Sequence, residues 1–151
     1  MELELPQDFK ELLKSFNENK VKYLVIGGYA VGIHGHVRAT NDLDLAISDD
    51  DENALRVVNA LSDFGFAGET VTTELFTQKN SVVRMGVAPV KIEILNYLHG
   101  PGFDAAYERK KTVKIEDIEV DVISLDDLYE NKLIVGRHQD LADVENLRKK
   151  N

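Results

Sequence analysis

The chain has 151 residues, of which 43% are hydrophobic and 30% charged, with no cysteine and a formal net charge of −9. That length suffices to bury a core, and the composition is too apolar for a disordered segment. The lack of cysteine excludes disulfides, thiolate nucleophiles and cysteine-based zinc sites. The acidic balance argues against a general nucleic-acid binder, whose affinity would rest on Lys and Arg contacts to phosphate.

In chain order, Phe9, Leu12, Leu13 and Phe16 recur at helical spacing, so an amphipathic helix is expected from about Gln7 to Asn19, led in by Pro6. Tyr23 to Ile26 reads as a short buried strand, followed by a Gly27-Gly28 turn and a short helix from Tyr29 to His34. Leu43 to Ile47 reads as a second strand. Ala54, Val57, Val58, Leu61 and Phe64 define one face of a helix from about Asp51 to Phe64, with an acidic start that suits the helix dipole and a stop at Gly65.

Val82 to Val87 and Val90 to Leu95 are expected to form a hairpin around Pro89, and a short helical piece is expected near Asp104 to Glu108. Thr112 to Ile115 and Ile118 to Val122 form a second expected hairpin, turning at Glu116-Asp117. Ser124 to Asp127 resembles a capping box for a helical remainder that runs to Lys150 with an interruption near Gly136 to Gln139. The clusters Arg109-Lys110-Lys111 with Lys114, and Arg148-Lys149-Lys150, read as solvated faces or helix ends. No repeat, linker or low-complexity segment interrupts the order. One domain over 1–151 is expected, with a helical part from about 124 to 150. No stretch approaches a membrane span, and no basic segment leads into an apolar N-terminal run, so the expected compartment is the cytoplasm.

The segment from Val25 to Ile47, VIGGYAVGIHGHVRATNDLDLAI, carries the chemistry. Asp42 and Asp44 stand i, i+2 on a strand, so both project from one face about 7 Å apart while Leu43 and Leu45 face the core. Two carboxylates so placed repel each other unless a cation lies between them. Hard oxygen ligands of this type suit Mg²⁺, which takes one or two protein carboxylates and completes its shell with water and phosphate. Gly27 and Gly28 lack Cβ atoms, so their backbone N–H groups can approach a phosphate closely. His34 and His36 flank Gly35 with no cysteine to join them, and read as loop or helix-end residues rather than metal ligands. The glycines from Gly27 to Gly35 do not fit the dinucleotide-binding Gly-x-Gly-x-x-Gly, and there is no Walker A or Gly-x-Ser-x-Gly sequence.

Ile26-Gly27-Gly28, a 13-residue spacer from Tyr29 to Asn41, and Asp42-Leu43-Asp44-Leu45 together resemble the signature of the DNA polymerase β-like nucleotidyltransferase superfamily. Arg38-Ala39-Thr40-Asn41-Asp42 resembles the R-x-T-x-D run of its small bacterial members. The resemblance implies an α/β (α+β) fold, a mixed and mostly antiparallel sheet with helices packed on it. It also implies a third acid on a later strand. Glu93, flanked by Ile92 and Ile94 and preceded by a hairpin partner, is preferred over Asp121 in Val120-Asp121-Val122.

Lys132 falls near the centre of an arc formed by Leu125, Leu128, Tyr129, Leu133 and Val135 at 100° per residue. A lysine so placed either snorkels, pairs with a structural acid, or meets an anionic ligand such as a nucleotide triphosphate. The stretch SLDDLYENKLIVGRHQDLADVENL resembles the C-terminal part of minimal nucleotidyltransferases, including relatives of abortive-infection toxins, with Lys132 followed by Arg137, Asp140 and Asp143.

The resemblance implies a metal-dependent enzyme that moves a nucleoside monophosphate from a nucleoside triphosphate to an acceptor hydroxyl on RNA, protein or a small molecule. Asp42, Asp44 and Glu93 would hold two Mg²⁺ ions, with Mn²⁺ as the alternative, and Glu93 would also take the proton. Gly27, Gly28, Arg38, Thr40 and Lys132 would hold the nucleotide. Two further readings follow from the same resemblance: a non-catalytic nucleotide-binding or antitoxin-like partner within a toxin–antitoxin pair, and an antibiotic nucleotidyltransferase of the aminoglycoside or lincosamide type.

Overall fold

A computed structural model describes residues 3–87 and 90–151. Among these the chain order is α1 (Gln7–Glu18), β1 (Tyr23–Ile26), α2 (Gly27–Ile33), β2 (Asp42–Ile47), α3 (Asp51–Phe64), α4 (Glu74–Thr77), β3 (Val82–Val87) and β4 (Val90–Leu95), then α5 (Phe103–Glu108), β5 (Lys111–Ile115), β6 (Ile118–Val122), α6 (Leu125–Val135) and α7 (His138–Lys150). The strands form one sheet in the order β3-β4-β2-β1-β6-β5. The pairs β3–β4, β1–β2 and β5–β6 are antiparallel, and β2–β4 and β1–β6 are parallel, so the sheet is mixed as expected. The Pro89 turn of the first hairpin lies outside the described residues.

One face of the sheet is apolar because Leu43, Leu45, Ile47, Ile92 and Ile94 alternate inward on β2 and β4. Helix α1 covers that side with Phe9, Leu12, Leu13 and Phe16, all fully buried. Each such side chain contributes roughly 1.5–3 kcal/mol relative to exposure. Phe16 meets Tyr23 of β1 edge to face at 5.7 Å, and Phe9 meets Tyr29 of α2 at 5.5 Å. Ser15 is buried among them because its hydroxyl donates to the carbonyl of Ala60 at 2.7 Å, which seats α1 on α3.

Two local readings are corrected. The Gly-Gly pair is not a separate turn; α2 begins at Gly27 itself. Ile26 is extended, and Gly27 takes φ +66°, so the chain passes from strand to helix with no linking residue. On α6 the expected apolar arc is only half covered: Leu128 is buried, whereas Leu133 and Val135 are 47% and 39% exposed. Helix α7 meets α6 through the carboxylates of Asp140 and Asp143 around Lys132 rather than through that apolar arc. Helix α4 was not expected; it buries Phe76, and Asn96 donates to the carbonyls of Phe76 and Gln78 beneath it. Among the described residues no helix is long and apolar enough to cross a membrane.

Asn53, on the first turn of α3, is almost wholly buried and joins three segments. Its side chain accepts from Lys22 N at 2.8 Å and donates to the carbonyls of Ser48 at 2.9 Å and Lys22 at 3.2 Å. Asn53→Ala removes the partner of Lys22 N–H and of the Ser48 carbonyl, while the Lys22 carbonyl keeps the N–H of Ser48 at 3.3 Å, and should lower stability by about 2–3 kcal/mol. Urea titration should show a lower midpoint with an unchanged slope; an unchanged midpoint would show that water replaces the amide without cost.

Candidate active site

The parallel pairing of β2 with β4 sets the geometry of the site. Its register places Asp42 opposite Lys91 and Asp44 opposite Glu93. Directly paired residues project from the same side of a sheet, so Asp42, Asp44 and Glu93 share the face opposite the apolar one. The antiparallel β3–β4 register places Arg84 opposite Glu93, and Arg84 Nε donates to Glu93 Oε1 at 2.9 Å. The row floors a cavity of about 500 Å³ that is also lined by Gly27, Gly28, Arg38, Thr40, Lys132 and Arg137.

Asp44 bears most of the crowding. Burial comes first, then the charges of Glu93 and Asp42 and a hydrogen bond with Glu93; together they push its carboxyl from 3.8 to about 7, against a smaller opposing pull from Lys132. A Cβ at Gly27 would collide with the Asp44 carboxylate, and one at Gly28 would lie 2.8 Å from Thr40 Oγ1. Both positions therefore need glycine for space, and Gly27 needs it for its backbone angle as well.

The opposite wall is cationic. Arg38 forms a two-pronged bond to Asp143, Nε to Oδ1 at 2.8 Å and Nη2 to Oδ2 at 2.9 Å. Lys132, 4% exposed, lies 3.1 Å from Asp140 Oδ1 and 3.0 Å from Asp143 Oδ2. Arg137 Nε donates to Asp140 Oδ2 at 2.7 Å. Burial works to raise the carboxyls of Asp140 and Asp143, but bonds from Arg137 and Lys132 to the first, and from Arg38 and Lys132 to the second, outweigh it and hold both low.

All eight residues singled out from the sequence, Asp42, Asp44, Glu93, Gly27, Gly28, Arg38, Thr40 and Lys132, line this one cavity. Asp121 does not; it lies on β6, where Thr112 Oγ1 donates to it at 2.7 Å. His34 uses its ring to bond the carbonyl of Ile123 at 2.6 Å, a packing role. Residues the sequence reading passed over also line the cavity: Arg84, Tyr97, His99, Asn131 and Gln139. Arg84 was within reach, because the expected hairpin limits pair it with Glu93. Asp140 and Asp143 also carried a signal. They share an i, i+3, i+4, i+7 stripe with Val144 and Leu147, and carboxylates on an inward stripe call for a buried cation.

Among the described residues no three His, Asp or Glu side chains already converge as a metal cage. The donor set nevertheless fits a hard divalent cation: three carboxylates on adjacent strands, one of them raised by burial and then by its neighbours, beside a backbone held open by glycine.

The fold is that of nucleotidyltransferases. The chain is similar to a Thermotoga maritima protein provisionally assigned as a nucleotidyltransferase, with 17% identity and a TM-score of 0.60 over 95% of this chain and 91% of that one. It is similar to the lincosamide antibiotic adenylyltransferase LnuA, solved with lincomycin bound, with 17% identity and a TM-score of 0.59 over 95% and 96% of the two chains. An antigenic nucleotidyltransferase-like protein from Paracoccidioides brasiliensis aligns with 16% identity and a TM-score of 0.57 over 95% and 77%. No curated protein matches the sequence. Residues 3–148 match the family described as nucleotidyltransferase of unknown function (DUF6036), and the chain belongs to that family. It is thus an enzyme of the nucleotidyltransferase class.

The raised Asp44 carboxyl has a consequence for stability. It binds its proton more tightly folded than unfolded, so its contribution is fully present below the unfolded value of 3.8 and is lost as pH rises through about 7. With chelator present, the melting temperature of the wild type should fall across that window relative to Asp44→Asn, and the variant should melt higher at pH 8. Parallel curves for the two proteins would show that Asp44 is not strained by its neighbours.

Proposed function

We propose that this enzyme transfers a nucleoside monophosphate from a nucleoside triphosphate to a hydroxyl of a small acceptor, with Asp42, Asp44 and Glu93 holding Mg²⁺. The observation that carries the reading is the Asp44–Glu93 register, which sets a third carboxylate beside the Asp-x-Asp pair at the floor of a cavity with a cationic wall. Mn²⁺ has the same hard-ligand chemistry and is the alternative ion.

Bound Mg²⁺ would neutralise phosphate charge and ease deprotonation of the acceptor hydroxyl. Arg38 and Lys132 present positive charge to the triphosphate, with Gly27 and Gly28 donating backbone N–H groups and Thr40 a hydroxyl. The acceptor oxygen attacks the α-phosphorus in line. One phosphorus–oxygen bond forms, the bond to the pyrophosphate leaving group breaks, and the hydroxyl proton passes to Glu93.

Beside Glu93 the cavity is lined by Val82, Leu95, Tyr97 and Leu98, a largely apolar wall with one aromatic ring. That wall, on a chain of net charge −9, supports a small hydroxylated compound over RNA as acceptor. A screen of labelled triphosphates against small hydroxylated compounds, RNA and protein tests it. Labelling of RNA, or of a protein such as a toxin or antitoxin partner, with no small molecule labelled would overturn the acceptor class.

Two variants and a control test the acid row. Asp42→Asn with Asp44→Asn should abolish Mg²⁺-dependent triphosphate binding in calorimetry while far-UV circular dichroism stays native; unchanged Mg²⁺ dependence would refute the metal assignment. Glu93→Gln should remove transfer in single-turnover assays with little change in nucleotide affinity, since its main work is on the acceptor side of the transition state. Asp121→Asn should be close to silent, and the reverse pattern would move the third acid to β6.

A further inference from the structure

Asp143 is fully buried and does not line the cavity, yet it bonds three residues that do. Its Oδ1 accepts from Arg38 Nε at 2.8 Å and from Gln139 Nε2 at 2.9 Å. Its Oδ2 accepts from Arg38 Nη2 at 2.9 Å and lies 3.0 Å from Lys132 Nζ. One oxygen thus holds two cations, one from the segment between α2 and β2 and one from α6. Without it those cations would repel each other.

Charge balance alone does not account for this arrangement. Lys132 already has Asp140 as a carboxylate partner, and Asp140 also serves Arg137. Three cations face two carboxylates, which leaves the wall with one net positive charge. The two-pronged bond also orients Arg38. With Nε and Nη2 taken by Asp143, Nη1 remains beside Gly28, 3.3 Å from where a Cβ there would stand, and among the described residues bonds only the carbonyl of Ala39 at 3.2 Å. A guanidinium is planar, so fixing one edge fixes the direction of the rest.

We propose that Asp143 is a positioning residue for the transfer reaction: it clamps Arg38 and Lys132 side by side so that both meet the phosphate chain of a nucleotide in the cavity they line. The inference rests on the triphosphate reading given above and adds to it a residue that never touches the substrate.

Calorimetry with each of the four ribonucleoside triphosphates and Mg²⁺ tests the clamp, using the full chain and thermal melts as a check on folding. Asp143→Asn and Arg38→Lys should each weaken binding by about tenfold, the loss of a placed charge-assisted bond. The double variant should be no weaker than the weaker single, because both changes undo one clamp. Multiplying losses would mean that Asp143 does not act through Arg38, and would overturn the proposal. If Asp143→Asn does not fold, Arg38→Lys and Arg38→Gln decide it. A lysine that keeps the charge without the fork should lose most of what glutamine loses, whereas wild-type affinity for Arg38→Lys would overturn the clamp. If the wild type binds no triphosphate, the functional reading falls and the clamp with it. If the wild type binds and folded Asp143→Asn binds equally well, only the clamp falls.

Discussion

Everything at the site depends on one register, the parallel pairing that puts Asp44 opposite Glu93. Strand β2 alone would carry two acids on a solvated face, an arrangement common to antiparallel sheets. Strand β4 alone would carry one acid in an apolar strand. Side by side, the three make a patch in which Asp44, already buried, is crowded by Glu93 and Asp42. Arg84 draws off part of the field of Glu93 from the strand edge, but its side chain is 73% exposed and screened by solvent, and Asp44 stays crowded.

The cavity is therefore zoned by charge. Its floor is a row of carboxylates belonging to the sheet, and its far wall is a set of cations from α6, the α6–α7 junction and the segment before β2, held by carboxylates of α7. The zones are built differently. The floor is held by backbone pairing, in which a shift of one residue would turn every acid to the other face. The wall is held by side-chain ion pairs, in which one carboxylate serves two or three donors. Replacing a buried partner there strands an opposite charge, so the wall is cooperative in a way the floor is not.

Much of this was legible in the sequence. Periodicity located β1, α3, β3, β4 and β6 at their observed limits, because their apolar residues are spaced cleanly and Gly65 ends α3 sharply. Asp44 and Glu93 each stand between core residues and Asp42 precedes one, so alternation put them on the solvent side of their strands; Asp121 has the same local pattern, and only the order of strands implied by the resemblance preferred Glu93. Gly27 was misread as a turn because composition does not distinguish a glycine that ends a strand from one that begins a helix. Pairing with a structural acid was one open reading for Lys132, but which acids it meets was not legible. Asp140 and Asp143 lie eight and eleven residues further on, on another helix, and only the angle between α6 and α7 decides whether they reach it. Helix α4 has only four residues, too few for any period to show.

The two hairpins at the flanks of the sheet have unequal duties. The one formed by β3 and β4 carries Arg84 and Glu93, so its register is bound to the chemistry. The other, β5 with β6, lies at the opposite edge and contributes no residue to the cavity. Its turn is tied to α1 by a surface ion pair between Lys10 and Glu116, the kind of contact that costs little to lose. Sequence drift, a lengthened loop or a grafted epitope at that turn would change the outline of the molecule while leaving its charge zoning untouched. Relatives sharing this fold have room there to diverge in shape, and almost none along β4.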